Sequence, residues 1–214
     1  MVELSWEERS VAIDGLAGTG KSTLARRLGE KIGLVHLDTG ATYRAVGLVA
    51  IREGIDFADE SAVISAFEEH PFDYVDSRMF LAGHDISDEI RHPAISDAAS
   101  KVAVLPRLRA VLVQWQRDYV QVHGGAVVEG RDIGTVVLPK ARLKVYLHAD
   151  EEIRLKRRGD TPSMEVSQRD HRDSTRQVNP LRKAVGAVEM DTTDRNISEL
   201  IGEMEGLYYL TLPE

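Results

Sequence analysis

The sequence contains no cysteine. That excludes disulfides, a thiolate metal site and a thiol nucleophile, and it suits a reducing cytoplasm. No apolar run approaches the length needed to span a bilayer. The opening stretch MVELSWEERS is polar and acidic, without the apolar segment of a secretory leader, so a cytoplasmic protein with no membrane partner is expected. Positive charge is in short supply: the net charge is −8. A surface that coats nucleic acid is therefore not expected, although a local basic pocket for a small anion remains open. There is no internal repeat and no low-complexity segment. The chain of 214 residues suits one well-buried domain with small insertions.

What is present alternates. Short apolar runs rich in β-branched residues predict strands at 10–14, 33–38, 126–130, 143–149 and 187–193. Between them, apolar residues recur at helical spacing over 21–33, 108–124 and 196–210. The last of these carries an N-cap candidate at Asn196 or Ser198. Strands alternating with helices predict an α/β fold with a mostly parallel sheet of five strands, covered on both faces. The rhythm breaks over 56–106, where alternation around Ala82-Gly83 predicts a small hairpin on an insertion. It breaks again over 156–176, dense in charge and carrying Gly159 and Pro162, which reads as a mobile, exposed lid.

One motif sets the chemistry class. Gly15-Leu16-Ala17-Gly18-Thr19-Gly20-Lys21-Ser22 follows a predicted strand and opens a predicted helix, the context a phosphate-binding P-loop requires. Glycines let backbone N–H groups turn inward around phosphates, and the helix N-terminus adds its positive dipole end. Residues Gly15 to Thr23 are thus expected at a nucleoside triphosphate, with Lys21 reaching the β- and γ-phosphates and Ser22 a ligand to Mg²⁺. An N-K-x-D guanine-reading motif is absent, which weakens a GTPase reading. No hydrophobic run ends in paired acids as in a motor ATPase. A small-molecule kinase needs further cations facing the loop, and three groups qualify. Thr39, Tyr43 and Arg44 follow the second strand. Arg131 and Asp132 follow the third, in the stretch EGRDIGTVV, whose glycines read as a turn. Strand ends of a parallel sheet border the ligand crevice, so both groups should face the loop. Arg169, Arg172, Asp173 and Arg176 fall on one stripe if RDHRDSTR is helical, and three guanidiniums there call for an anion among them.

IDGLAGTGKST, LDTGATYRA, DEIRHPAISDAASKVAVLPRLRAVL, VEGRDIGTVVLP and RDHRDSTR followed by NPL resemble, in order, the bacterial cytidylate kinases. The resemblance implies a three-layer P-loop NTPase fold with an NMP-binding insertion at 39–106 and a short lid at 156–176. It implies phosphorylation of CMP and dCMP by ATP with Mg²⁺, in a monomer. Thr39 (often serine in the family), Ser100, Arg109 and Asp132 would contact cytosine. Arg44, Arg131 and Arg176 would hold the CMP phosphate, and Arg169 and Asp173 the ribose hydroxyls. Lys21, Arg131, Asp132 and Arg176 are the residues expected to carry the transfer. Leu16 stands where the family commonly has proline, and the stretch between Arg158 and Arg169 is shorter than in many members. Arg154 and Arg157 stay unassigned within the lid. A kinase for another small acceptor (UMP, AMP, dTMP or shikimate) and a slowly hydrolysing nucleotide switch are the alternatives.

Overall fold

A computed structural model describes residues 4–159 and 163–210. Its core is a sheet of β1 (Val11–Gly15), β2 (Val35–Asp38), β6 (Ala126–Gly130), β7 (Leu143–His148) and β8 (Val188–Asp191). The strand order is β2-β6-β1-β7-β8 and every neighbouring pair is parallel, so the sheet is wholly rather than mostly parallel. The expected strands are all found within a residue or two of their predicted limits.

Alternation along the strands builds the two faces. Val11, Ile13, Val145 and Leu147 turn to one side, where α1 (Lys21–Ile32) and α8 (Ile197–Leu210) supply Leu24, Leu28, Leu200 and Met204. Ala12, Leu37 and Val128 turn to the other, against α2 (Thr39–Arg52) and α5 (Pro106–Val122). Each face removes a row of apolar side chains from water, the main stabilising term of such a layer. Helix ends follow local chemistry. Asp38 caps α2 by accepting from the Ala41 N–H at 3.1 Å. Gly33, left-handed at φ 74°, closes α1. Asn196, the first of the two cap candidates, accepts from the Glu199 N–H at 2.8 Å.

The insertion carries α3 (Glu60–Glu69), a three-stranded antiparallel sheet of β3 (Phe72–Val75), β4 (Arg78–Leu81) and β5 (His84–Asp85), and α4 (Pro93–Val102). The hairpin expected at Ala82-Gly83 is there, with both turn residues left-handed. A second hairpin turns at Asp76-Ser77, also with positive φ at both positions. Its pair lacks the glycine that usually marks such a turn, which hides it from sequence reading.

The region read as an irregular lid is largely helical. α6 (Glu151–Arg158) runs into it and α7 (Ser163–Thr175) fills most of it; Pro162 lies outside the described residues. Arg154, Val166, Asp170 and Asp173 are buried rather than exposed. Asp170 and Asp173, part of the charge that suggested solvent, instead pair inward with Arg154 and Arg131, while Lys156 and Arg157 stay exposed. Among the described residues no helix is long and apolar enough to cross a membrane.

Candidate active site

The P-loop leaves β1 and enters α1 as its sequence demands. Glycine is needed at Gly15, where a Cβ would lie 2.3 Å from the Leu147 carbonyl oxygen. It is needed at Gly18, where one would lie 2.4 Å from that of Arg154. The α1 N-terminus faces a cavity of about 580 Å³, lined along the loop from Ala17 to Thr23. Gly15 and Leu16, expected at the nucleotide, stand behind it: their carbonyls accept from Arg131 Nη1 at 2.6 Å and Lys21 Nζ at 2.7 Å. The Ala17 N–H, also expected at the phosphates, is given to Asp170 at 3.1 Å.

Lys21 thus lies folded across the loop. Burial, and then the guanidiniums of Arg131 and Arg169, push its ammonium down to about 7. The Ser22 hydroxyl donates to Glu129 Oε1. Burial and the nearby Asp38 carboxylate push Glu129 up to about 7. Ser22 and Glu129 form an all-oxygen pair on the loop's inner side, a donor set suited to a hard cation such as Mg²⁺. Among the described residues there is no cluster of three His, Cys, Asp or Glu that could hold a metal alone, so phosphate oxygens and water would have to complete such a site.

The far end of the cavity gathers the other predicted residues. Thr39, Tyr43 and Arg44 come from α2, Ser100 from α4 and Arg109 from α5. Arg131 and Asp132 follow β6, Arg169 and Asp173 lie on α7, and Arg176 follows it. Arg131 and Asp132, adjacent in sequence, are aimed apart. Arg131 reaches the P-loop side, with Nε 2.9 Å from Asp173 and Nη2 3.4 Å from Asp170. Asp132 turns toward α5 and the end of α7, its Oδ2 2.5 Å from Arg109 Nη2 and its Oδ1 3.1 Å from Arg176 Nη2. The second contact is close but poorly aligned, and Arg176 Nη2 makes no hydrogen bond. Arg44 rests on Asp38 at 2.7 Å. The Arg109 guanidinium lies 5.4 Å from the Tyr43 ring centre. Nearby, Tyr43 Oη and Ser100 Oγ are buried without a hydrogen-bond partner. Buried polar atoms in that state are the groups a ligand satisfies.

The glycines of EGRDIGTVV have a different cause from the turn expected. Neither Gly130 nor Gly134 has positive φ. A Cβ on Gly130 would meet Thr39 Oγ1 at 2.5 Å, so close approach excludes a side chain. At Gly134 the N–H donates to Asp14 Oδ2 at 2.8 Å, and Ile133 N–H donates to Asp14 Oδ1 at 2.7 Å. Asp14 thereby pins the start of a π-turn (Ile133–Val137) that presents Arg131 and Asp132. Burial pushes its carboxyl up to about 6, against the two N–H bonds.

Arg172 departs from the expected stripe: it crosses to Asp97 on α4 at 2.7 Å and does not line the main cavity. Arg157 does line it, donating to the Thr192 carbonyl at 2.6 Å, while Arg154 lies behind the loop. Asp38, Arg91, Glu129, Arg158 and Thr192 line the cavity without having been expected there. Asp38 and Glu129 carried a sequence signal, each an acid at the end of a predicted strand beside a group of candidate residues.

One cavity is thus lined by the glycine loop and the α1 N-terminus, by arginines from helices and strand ends, and by the buried Arg109–Asp132 pair. Two solved structures share this fold. A gluconokinase from Sinorhizobium meliloti 1021 matches with TM-score 0.50 and 16% identity, over 94% of this chain and 93% of its own. A shikimate kinase from Acinetobacter baumannii matches with TM-score 0.50 and 14% identity, over 96% and 95%. The sequence comparisons are closer. A cytidylate kinase from Mycobacterium avium (strain 104) is 44% identical over 213 residues, covering 92% of this chain and 93% of its own. One from Rhodococcus opacus (strain B4) is 42% identical, covering 91% and 92%. The family model described as cytidylate kinase matches residues 11–208. With a match spanning nearly the whole chain, and relatives this similar along nearly all of theirs, the chain belongs to the cytidylate kinase family.

Proposed function

We propose that this enzyme transfers the γ-phosphoryl group of ATP directly to the phosphate of CMP or dCMP. The observation that carries the reading is the buried Arg109–Asp132 pair at the end of the cavity opposite the P-loop. Cytosine offers an amino donor beside a ring-nitrogen acceptor. A carboxylate beside a guanidinium offers the opposite pattern, acceptor beside donor. Uracil reverses the two positions and should fit worse. Tyr43 Oη and Ser100 Oγ, buried and unpartnered, supply further groups for the base or sugar.

Arg44, Arg131 and Arg176 are the candidates for the acceptor phosphate, and Arg169 with Asp173 for the ribose. Carboxylates lie against Arg44, Arg131 and Arg176. Cations fixed in this way are what electrostatic stabilisation of a transferring phosphoryl group requires. Ser22 and Glu129 would hold Mg²⁺, which when bound neutralises the charge of the phosphates. The chain's own task is to align the two nucleotides in line and exclude water. The acceptor is already an anion, so no general base is required. The α4–α7 bridge of Asp97 and Arg172 supports reading 39–106 and 156–176 as flaps that meet over the cleft.

Coupled ADP release with CMP, dCMP, UMP, AMP and GMP tests the reading. CMP and dCMP should be the best acceptors, with UMP behind. Turnover indifferent to added CMP would leave only a nucleotide-hydrolysing switch, and preference for another acceptor would move the assignment within the kinases.

Lys21 makes donor binding proton-linked. With its ammonium pushed down to about 7, it is mostly neutral at pH 8 in the free enzyme. Phosphate oxygens beside it restore the charge. ATP binding at pH 8 should take up close to ~1 proton, read as calorimetric heats that vary with buffer ionisation enthalpy. Between about 7 and the ordinary lysine value of 10.5 the unfolded chain holds a proton that the fold has lost. Stability of the free enzyme should therefore rise with pH across that window, and bound ATP should remove the rise. Heats independent of buffer would take Lys21 off the phosphates.

A further inference from the structure

Behind the cavity wall lies a group that the site itself does not use. Asp170 is buried on α7 and does not line the cavity. Its Oδ1 accepts from the Ala17 N–H at 3.1 Å and lies 3.4 Å from Arg131 Nη2. Its Oδ2 accepts from Arg154 Nη1 at 2.6 Å. Arg154 Nη1 in turn donates to the Ala17 carbonyl at 3.0 Å. Both backbone groups of one P-loop residue are thus held by two helices more than a hundred residues away in sequence. The contact is tight: Gly18 next door has no room for a Cβ against the Arg154 backbone.

Helical spacing converts this clamp into a placement device. Arg158 stands four residues after Arg154 on α6, one turn on, and lines the cavity. On α7, Arg169 precedes Asp170 and Asp173 follows it by three, and both line the cavity. Each helix is fixed to the loop that would hold the donor phosphates and, within one turn of that anchor, presents the charges that would meet them. We infer that Asp170 is a positioning residue for phosphoryl transfer: through Ala17, Arg154 and Arg131 it sets the register between the P-loop and the two helices bearing the cleft arginines.

The inference rests on the cavity taking ATP and CMP. Should the unaltered enzyme show no CMP-dependent ADP release, that reading fails first and the clamp is not at issue. With that activity present, Asp170→Asn keeps an acceptor for the Ala17 N–H but removes the charge that Arg154 and Arg131 share. A misplacement on the order of 1 Å lowers transfer about a hundredfold. The expected result is a loss on the order of a hundredfold in kcat per ATP-binding site, with both KM values within about threefold. Arg154→Met should show the same loss, and the double variant should be no worse than either single, since all three break one linkage. A purely structural ion pair predicts otherwise: a lower melting temperature and fewer active sites, but unchanged kcat per site. That outcome, or losses that multiply in the double variant, overturns the inference. If Asp170→Asn does not fold, Arg154→Lys is read in its place. It keeps the charge beside Asp170 but gives up the fork that also reaches the Ala17 carbonyl. A kcat per site equal to that of the unaltered enzyme then overturns the inference, and a fall at constant KM supports it.

Discussion

Lys21→Ala should lower phosphoryl transfer by about a hundredfold to a thousandfold and leave the fold intact. The direction of both halves comes from where the side chain lies. Among the described residues its side chain donates one hydrogen bond, to the Leu16 carbonyl at 2.7 Å, and that carbonyl also accepts from Thr19 Oγ1 at 2.9 Å, so it keeps a partner when the lysine is removed. Arg131 and Arg169 repel the ammonium, and burial costs it a proton near pH 7. Removing it therefore takes a strained charge out of the free enzyme, and thermal unfolding should be unchanged or slightly raised. In the transition state the same charge has phosphoryl oxygens to neutralise, and one well-placed donor in a preorganised site is worth roughly 10²–10³ in rate. Single-turnover transfer and a melting curve on the same sample separate the two effects. Near-normal transfer from a well-folded Lys21→Ala protein would overturn the P-loop assignment.

The parts of this molecule that were legible in its sequence are those whose cause is local. A strand, a glycine loop, a lysine and a helix follow each other within a dozen residues, and the sheet's parallel order follows from strands alternating with helices. Strand ends then carry Thr39, Arg44, Arg131 and Asp132 into one crevice by topology alone. What was hidden depends on partners far away in the chain. The charge of 156–176 reads as solvated surface until Asp170 is seen against Arg154 and Ala17, and Asp173 against Arg131. Arg172 shares a helical stripe with Arg169 and Arg176, yet an aspartate 75 residues earlier draws it to α4. Gly134 looks like a turn glycine, and only Asp14, 120 residues earlier, gives its N–H a reason. Ser100 and Arg109 carry no spacing signal, and only the family resemblance proposed them for the site. The structure buries both, Arg109 to 2% exposure. Spacing reports which residues share a face, but not what the face meets.

The adjacent pair Arg131 and Asp132 should fail in different ways when altered. Arg131 faces the loop and α7, so Arg131→Ala should slow transfer to every monophosphate acceptor alike. Asp132 faces Arg109 and Arg176 at the acceptor end, and the choice of replacement matters there. Asp132→Ala would leave the buried Arg109 guanidinium without its carboxylate, a loss of about 3–5 kcal/mol that could unfold the site and mask its chemistry. Asp132→Asn keeps the shape and one acceptor oxygen while trading an anion for an amide. Against cytosine it weakens a charge-assisted bond to the amino group, worth roughly 1.5–3 kcal/mol. Against uracil the amide NH₂ gains a carbonyl that the aspartate could only repel. CMP should thus lose while UMP holds or gains, and the CMP/UMP ratio of kcat/KM should fall by about tenfold or more. The same assay on Arg131→Ala should leave that ratio where it was. Equal losses for CMP and UMP in Asp132→Asn would mean that the carboxylate merely steadies Arg109 and Arg176, and base reading would pass to Arg109, Ser100 and Tyr43.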